Sequence, residues 1–402
     1  MSDFHQSGPV TTLHDLGDRS RERLEALLRE ATREHRIGLV LPVTGADMRA
    51  PAFARIVEEL GEVDYVDQIC VVLGDAPDVR DFREARALAG RLGARAEVLW
   101  TDGDAVGAVY RDLVAAGFPL EASGKGRSVW TAFGYLLADP GLDAFVLHDC
   151  DIVDYDSILL ARLCLPVVHP SLDFEFAKAF YQRSTDRLYG RVTRLLVSPL
   201  LQSMISIWGR DSLLLFLESF RYPLSGEFAI TSALARSNRI PSDWGLEIGT
   251  LAEVFRNTSA KRVCQVDLCV SYEHKHQELS LEDPGRGLMR MATDISSTLF
   301  RTLASRGTVI DAGQVETLRA AYLRFAQDVV RQYHADALVN GQIYDRHAEE
   351  RAVEGFARQI QIAGDTFRTD PLGGAAIPNW VRVLAAFPDL PARLRAAARS
   401  EP

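Results

Sequence analysis

Short apolar runs alternate with helical segments along the first third of the chain, and this alternation restricts the fold more than any other feature of the sequence. The apolar runs, each with the length and composition of a buried strand, are IGLVLPV at 37–43, QICVVLG at 68–74, AEVLW at 96–100 and AFVLH at 144–148. The helical segments, with apolar side chains at helical spacing, lie at 19–35, 51–60, 80–92 and 126–138. Strands that alternate with helices predict an α/β fold whose mostly parallel sheet is covered on both faces.

The later part of the chain has a different pattern. Residues 160–275 mix apolar runs with loops, which predicts completion of the sheet and a second side of any site at its edge. From about residue 284 the apolar spacing is helical for a long way, through Met289, Leu303 and Leu318. We therefore expect a first domain over 1–283 and a helical C-terminal extension over 284–402.

Charge and cysteine usage exclude several classes of protein. The formal net charge of −10 argues against binding to nucleic acid, which needs clustered Lys and Arg, but it leaves room for a phosphorylated small molecule in a local basic pocket. The five cysteines are scattered without a CxxC pair, so they predict free thiols in a reducing compartment. No apolar run approaches the roughly 18–20 residues that span a bilayer, and the polar first residues lack a signal-peptide core. We expect a cytoplasmic protein with no membrane contact.

The sharpest local signal is Asp149-Cys150-Asp151, directly after the strand-like run AFVLH. Ligands of open α/β sheets bind beyond the carboxyl ends of the strands, so these acids lie where chemistry is expected. Two carboxylates one residue apart can hold a hard divalent cation that also binds a diphosphate. Acidic triplets are also common in surface loops, and the position after a buried strand is what favours the functional interpretation.

Two basic segments could bind anions. Ser123-Gly124-Lys125-Gly126-Arg127 opens the helix before that strand, where a lysine adds charge to a helix N-terminus. The spacing is not that of a Walker phosphate loop, and a glycine-rich turn with a solvated lysine is the alternative. Tyr189-Gly190-Arg191-Val192-Thr193-Arg194 offers arginine forks suited to carboxylate or phosphate, and a solvated basic turn is equally compatible with it.

Histidines follow a further strand-like run, in Tyr272-Glu273-His274-Lys275-His276. Histidine at a strand end can complete a metal shell begun by distant carboxylates. A lone histidine is more often a hydrogen-bonded or surface residue. The acidic triplet elsewhere in the chain favours a metal ligand here.

In order along the chain, these segments resemble the glucosyl-3-phosphoglycerate and mannosyl-3-phosphoglycerate synthases, retaining glycosyltransferases of the nucleotide-diphospho-sugar transferase (GT-A, Rossmann-like) fold. The shared segments are GKG at 124–126, DCD at 149–151, GRVT at 190–193 with RLLVSPLL after it, PLSGEF at 223–228, WGLEIG at 244–249 and VDLCVSYEHKH at 266–276. Six ordered segments over about 150 residues are far more specific than any one of them. The resemblance implies a mixed sheet with helices on both faces.

The resemblance also implies a donor site and a metal site. The donor contacts that it implies are Pro42, Val43, Lys125, Asp149, Leu224 and Gly226. It implies Mg²⁺ or Mn²⁺, held by Asp151 and His274 together with the donor diphosphate. The uracil-contacting P-x-x-N-E-E type of segment reads PVTGAD here, at 42–47, which leaves the base preference open.

An acceptor site and catalytic residues follow from the same resemblance. The implied acceptor contacts are Gly190, Arg191, Val192, Thr193 and His276, the last standing where the family has an asparagine. The implied catalytic residues are Asp151, Glu247 and Arg191. In this interpretation residues 36–152 form the nucleotide-sugar-binding half and residues 153–283 the acceptor-binding half, and the protein is a homodimer, as related enzymes are.

The function that results is glucosyl transfer from a nucleotide sugar, with UDP-glucose favoured, to 3-phosphoglycerate. GDP-mannose as donor and free glycerate as acceptor stay open, because such choices depend on a few pocket contacts. A nucleotidyltransferase would carry a glycine-rich, arginine-bearing loop after the first strand, which residues 42–50 lack. A non-catalytic sugar-nucleotide-binding protein is a third hypothesis, against which the presence of Lys125, Asp149, Asp151 and His274 argues.

Overall fold

A computed structural model describes residues 6, 8–17, 20–241, 245–269, 283, 286–373 and 376–400. Within these residues the strands are β1 (Thr11–Leu13), β2 (Arg36–Thr44), β3 (Gln68–Gly74), β4 (Ala96–Trp100), β5 (Leu142–Leu147), β6 (Phe176–Phe180), β7 (Phe228–Thr231) and β8 (Val263–Asp267). They form one sheet in the order β1-β8-β6-β7-β5-β2-β3-β4. Only β7 runs against its neighbours among the described strands, so the sheet is mixed, as predicted.

The helices of the first part of the chain connect and cover these strands. They are α1 (Arg21–Ala31), α2 (Gly45–Met48), α3 (Pro51–Gly61), α4 (Val79–Ala89), α5 (Asp104–Ala115), α6 (Lys125–Leu136), α7 (Ser157–Val168), α8 (Ser198–Trp208), α9 (Ser212–Glu218), α10 (Ser232–Ser237) and α11 (Leu246–Asn257). Gly90–Arg95 and Ala260–Arg262 are 3₁₀ turns, and Val192–Val197 is a π-helical turn that continues into α8.

The end of the described chain is helical. It consists of α12 (Gly287–Ser305), α13 (Ala312–Val339), α14 (Arg346–Thr369), α15 (Trp380–Ala386) and α16 (Leu390–Ser400). None of the helices in the described part of the chain combines the length and the apolar character needed to cross a membrane. The ranges of α12 to α16 confirm the predicted helical C-terminal extension.

Alternating residues of β2 contribute to two hydrophobic clusters. Val40 belongs to the cluster that includes Phe145, whereas Leu39 and Leu41 belong to the cluster that includes Val71. Successive side chains of a strand point to opposite faces of the sheet, so each cluster is the core of one face. Both faces are covered by helices, which is why the strands read as continuous apolar runs in the sequence.

The helical extension packs into the first of these cores. The cluster that contains Val40 also contains Leu299, Tyr322 and Phe356 from α12, α13 and α14. Near the C-terminus, the rings of Trp130 and Trp380 stack with centroids 4.3 Å apart, and Trp380 Nε1 donates a hydrogen bond to the carbonyl of Trp130. The extension thus shares a core with the sheet, and the domain boundary near 283 stays a prediction.

The strands and helices predicted in the first third of the chain agree with the structure within a few residues at each end. Three elements of this part of the chain were not predicted, namely the short β1 and α2 and the longer α5. The prediction passed directly from the strand at 96–100 to the helix at 126–138, whereas α5 lies between them and buries Val106, Val109 and Leu113 at helical spacing. The periodic signal of α5 was present in the sequence and was not used.

Candidate active site

The parallel strands β2, β3 and β5 end at one edge of the sheet, and β5 is followed there by the acidic triplet. Cys150 is buried within the core of one face, while Asp149 and Asp151 on either side of it are half-buried. The carboxyl edge of an open α/β sheet is where its ligands bind. The structure therefore places both carboxylates at the edge where the sequence predicted them.

Lys125 reaches this edge from the first turn of α6. Its Nζ lies 2.6 Å from Asp149 Oδ1 and 3.8 Å from Glu247 Oε1, so residues 125, 149 and 247 meet although they are far apart in sequence. Gly124 precedes the helix with φ 152°, a conformation that glycine adopts without the steric cost a side chain would bring. The α6 N-terminus has no side-chain cap, so its backbone N–H groups add to the positive potential around Lys125.

Gly226 closes the other side of Asp149. A Cβ added at Gly226 would lie 2.1 Å from Asp149 Oδ2, which is far inside van der Waals contact. Only glycine therefore lets residues 224–228 approach the carboxylate this closely. Leu224, in the same loop, is buried in the core of one face.

Lys178 lies in the middle of β6 and is 1% exposed. Its Nζ donates a hydrogen bond of 2.5 Å to the carbonyl of Ser225, next to Gly226. Burial lowers the pKa of Lys178 to about 8, against the opposing effect of the Glu247 and Glu227 carboxylates. Lys178 was not among the predicted site residues, because FAKAFY at 176–181 has the composition of an apolar run. A lysine inside a buried strand is nevertheless a signal of a buried charge.

Lys125, Asp149, Lys178, Gly226 and Glu247 form what we call the lysine–carboxylate cluster. Burial opposes the charge of Lys125, but Asp149 and Glu247 outweigh it and hold the Lys125 pKa above its ordinary value. Burial raises the pKa of Glu247, and the two lysines limit that rise. Lys125 thus stays cationic at neutral pH and can exchange a carboxylate partner for a phosphate oxygen of a ligand.

The Asp151 carboxyl group is a weaker acid than an ordinary aspartic acid. Burial, and then the negative charge of Asp149, raise the pKa of Asp151 to about 6. A divalent cation would offset both effects, and carboxylate oxygens are ligands that Mg²⁺ and Mn²⁺ prefer. Within the described ranges no three His, Cys, Asp or Glu side chains converge as a metal site. The second predicted ligand, His274, lies outside those ranges, so the predicted metal site rests on Asp151 alone.

The second basic segment, residues 190–194, contacts a carboxylate of the helical extension. Gly190 has φ 70°, and the π-helical turn starts two residues later, at Val192. Arg191 pairs with Glu349 of α14 at 2.6 Å rather than with the carboxylates of the lysine–carboxylate cluster. Val192 and Thr193 are largely buried in the turn. π-helical turns are often found at functional sites.

The remaining predicted residues divide into two groups. Pro42 and Val43 lie near the carboxyl end of β2, paired with Val72 and Leu73 of β3. Val43 is buried in the core, so a ligand there would meet its backbone. His276, like His274, lies outside the described residues.

Two curated relatives match this chain over nearly its whole length. The glucosyl-3-phosphoglycerate synthase of Persephonella marina is 43% identical over 394 residues, which cover 98% of this chain and 97% of the relative. The glucosyl-3-phosphoglycerate synthase of Methanococcoides burtonii is 38% identical over 397 residues, 98% of this chain and 96% of the relative. No protein-family model matches the sequence.

Solved structures show the same fold at lower identity. The mannosyl-3-phosphoglycerate synthase of Rubrobacter xylanophilus has a TM-score of 0.57 and 24% identity, covering 75% of this chain and 83% of that one. The glucosyl-3-phosphoglycerate synthase of Mycobacterium tuberculosis, in complex with Mn²⁺, UDP-glucose and phosphoglyceric acid, has a TM-score of 0.52 and 24% identity, covering 76% and 90%.

The mixed sheet, with acids after β5 and a lysine at the start of α6, has the GT-A type of fold that these solved structures share. The near-complete match to two relatives at 43% and 38% identity narrows this further. The chain belongs to the glucosyl-3-phosphoglycerate synthase family.

Proposed function

We propose that this chain transfers glucose from UDP-glucose to 3-phosphoglycerate, with retention at the anomeric carbon and with Mg²⁺ or Mn²⁺ as the cofactor. The observation that carries this proposal is the contact of Lys125 with Asp149 and Glu247 beside Gly226, at the carboxyl edge of the sheet. Two near-full-length relatives bear the name of this activity, and a neighbouring structure holds Mn²⁺, the donor and the acceptor together.

The donor would bind along the lysine–carboxylate cluster. Lys125 is placed to contact the donor diphosphate, and Asp149 accepts from Lys125 so that the lysine is aimed before the donor arrives. Leu224 and Gly226 would line the sugar pocket, with Glu247 facing the transferred sugar. Pro42 and Val43 would meet the base through the end of β2.

Asp151 and His274 would hold the cation, whose role when bound is to offset the charge that builds on the departing diphosphate. Few protein groups need to act as a base, since the leaving phosphate oxygen can take the proton of the acceptor hydroxyl. Gly190, Arg191, Thr193 and the neighbouring Val192 would bind the acceptor phosphate and carboxylate, with His276 completing that site. The work of the protein is then positioning and electrostatic stabilisation.

A product assay tests the proposal. Purified protein with Mg²⁺ is offered UDP-glucose or GDP-mannose against 3-phosphoglycerate or glycerate, and products are identified by mass spectrometry. We expect glucosyl-3-phosphoglycerate from the first pair and its loss when a chelator removes the metal. Product from GDP-mannose or glycerate alone would reassign the donor or the acceptor, and donor binding without any product would favour a non-catalytic sugar-nucleotide-binding protein.

We also propose a cytoplasmic homodimer. Cys70, Cys150, Cys164 and Cys264 are buried thiols outside any disulfide, which fits a reducing compartment. Sedimentation velocity on the purified chain would separate a dimer from a monomer directly, and a monomer at all concentrations would contradict this part of the proposal.

A further inference from the structure

One buried carboxylate from the helical extension binds both arginines of residues 190–194. Glu349 of α14 is 3% exposed, and its two oxygens take different partners. Oε1 lies 2.6 Å from Arg191 Nε and Oε2 lies 3.0 Å from Arg194 Nη1. Glu349 is not among the predicted site residues, and it lies 158 residues from Arg191.

Arg194 serves to fix Glu349. Its Nε donates to the carbonyl of Tyr189 at 2.7 Å, and its Nη2 donates to the carbonyl of Leu188 at 3.3 Å. Its guanidinium also lies over the ring of Tyr333, 4.7 Å from the ring centroid. A buried arginine with this many partners has one orientation, so the Glu349 oxygen that it binds has one position.

Arg191 is held differently. Its side chain is 37% exposed, and Glu349 accepts only from Nε. Across the residues that the structure describes, no protein group accepts a hydrogen bond from the two terminal nitrogens of Arg191. Those nitrogens form the edge of a guanidinium that binds a carboxylate or a phosphate with two parallel hydrogen bonds.

We propose that Glu349 is a positioning residue for the acceptor: it holds Arg191 so that the two terminal nitrogens face the anionic group of 3-phosphoglycerate. This inference rests on the proposed function of the same site. It makes the helical extension a part of the acceptor site, since α14 supplies the carboxylate. The net charge of Arg191, Arg194 and Glu349 is one positive charge, so the cluster keeps an unbalanced cation for the acceptor.

Two possible roles of Glu349 predict opposite effects of Glu349→Gln on acceptor binding. In one, only the charge of Glu349 matters; in the other, Glu349 orients Arg191. The substitution removes a negative charge beside two arginines, which by charge alone would strengthen binding of an anion. If Glu349 acts by aiming Arg191, the same substitution weakens acceptor binding despite the added positive charge. We expect the KM for 3-phosphoglycerate to rise about tenfold, with the KM for UDP-glucose within about twofold of wild type, as for loss of one oriented charge-assisted contact.

The matched control is Glu350→Gln. Glu350 is the next residue, its side chain is 42% exposed, and it pairs with Arg346 of the same helix, so its substitution should leave both KM values unchanged. Glu349→Asp shortens the carboxylate by one methylene without removing its charge, and we expect an intermediate rise. Thermal unfolding of each variant identifies any that fail to fold, and Glu349→Asp replaces Glu349→Gln in that case.

Two measurements make the inference falsifiable. In an Arg191→Ala background, Glu349→Gln should cause no further rise in the KM for 3-phosphoglycerate, since a positioning residue acts through its partner. An unchanged or lowered KM for 3-phosphoglycerate in the Glu349→Gln single variant would overturn the inference. A KM in the double variant that rises by the product of the two single effects would also overturn it.

Calorimetric titration of 3-phosphoglycerate separates this inference from the proposed function. Binding by wild type without turnover would overturn the proposed function, while the Kd ratio of the variants would still test Glu349. Absence of binding to wild type would overturn both.

Discussion

The proposed donor side and the proposed acceptor side of the site are built from different parts of the chain. On the donor side, the lysine–carboxylate cluster is supplied by elements of the sheet and its loops, all between residues 125 and 247. On the acceptor side, Arg191 and Arg194 are held by Glu349, which belongs to the helical extension. Changes to the sheet edge should therefore act on donor kinetics, and changes to α14 on acceptor kinetics.

The largest effect is expected from Asp151→Ala, which removes the one proposed metal ligand that lies within the described residues. We expect kcat to fall about a thousandfold with the fold intact, because the charge on the leaving diphosphate is no longer offset. Circular dichroism checks the fold, and Asp154→Ala, an exposed neighbour that pairs only with Arg55 at 3.6 Å among the described residues, is the control. Activity of Asp151→Ala within about threefold of wild type would refute a metal role for Asp151.

Gly226→Ala comes next, because the new Cβ must displace the Asp149 carboxylate. A shift of about 1 Å in a positioned group costs on the order of a hundredfold, so we expect kcat/KM for UDP-glucose to fall by that factor. The KM for 3-phosphoglycerate should stay within about twofold of wild type. Gly61→Ala, at a position where an added Cβ meets no atom within 4 Å, should be silent. Equal losses for donor and acceptor would break the separation of the two sides.

A smaller effect is expected from Lys178→Met, which keeps the alkyl chain and removes the hydrogen bond to Ser225. We expect the KM for UDP-glucose to rise about tenfold as the loop beside Gly226 loosens. Because the pKa of Lys178 is lowered to about 8, wild type should lose its Lys178 charge, and with it donor affinity, as pH rises through 8. The variant should lack this step. Lys261→Met, on the exposed surface, is the control.

The smallest kinetic effect is expected from Trp380→Ala, at the one described aromatic stack between the extension and α6. Loss of the large buried ring should lower the free energy of unfolding by about 3–5 kcal/mol. The constants for both substrates should change by less than about threefold, since Trp380 contacts the middle of α6 and not its start at Lys125. A selective rise in the KM for UDP-glucose would show that the extension also orders the donor side.

Sequence alone indicated the elements that carry the proposed donor side better than the contacts of the proposed acceptor side, for a physical reason. The strands, α6 and the acids after β5 are marked by local periodicity and by strand-end position, which a single sequence displays. The pairing of Arg191 with Glu349 joins residues 158 positions apart, and no local pattern encodes it. Lys178 was not predicted because its neighbours in the sequence are apolar, so the segment has the pattern of an ordinary buried strand. The roles of His274 and His276 stay predictions.

The π-helical turn Val192–Val197 sets the direction in which Arg191 faces. Such a turn holds one residue more than an α-helical turn of the same length. The hydrogen bond from Tyr322 Oη to the Leu195 carbonyl, at 2.6 Å, ties the turn to α13. Deleting one residue before Leu195 would rotate Arg191 by roughly 100° about the helix axis and withdraw it from Glu349. The number of residues in this segment, as much as their chemistry, therefore decides whether the Arg191 guanidinium contacts Glu349.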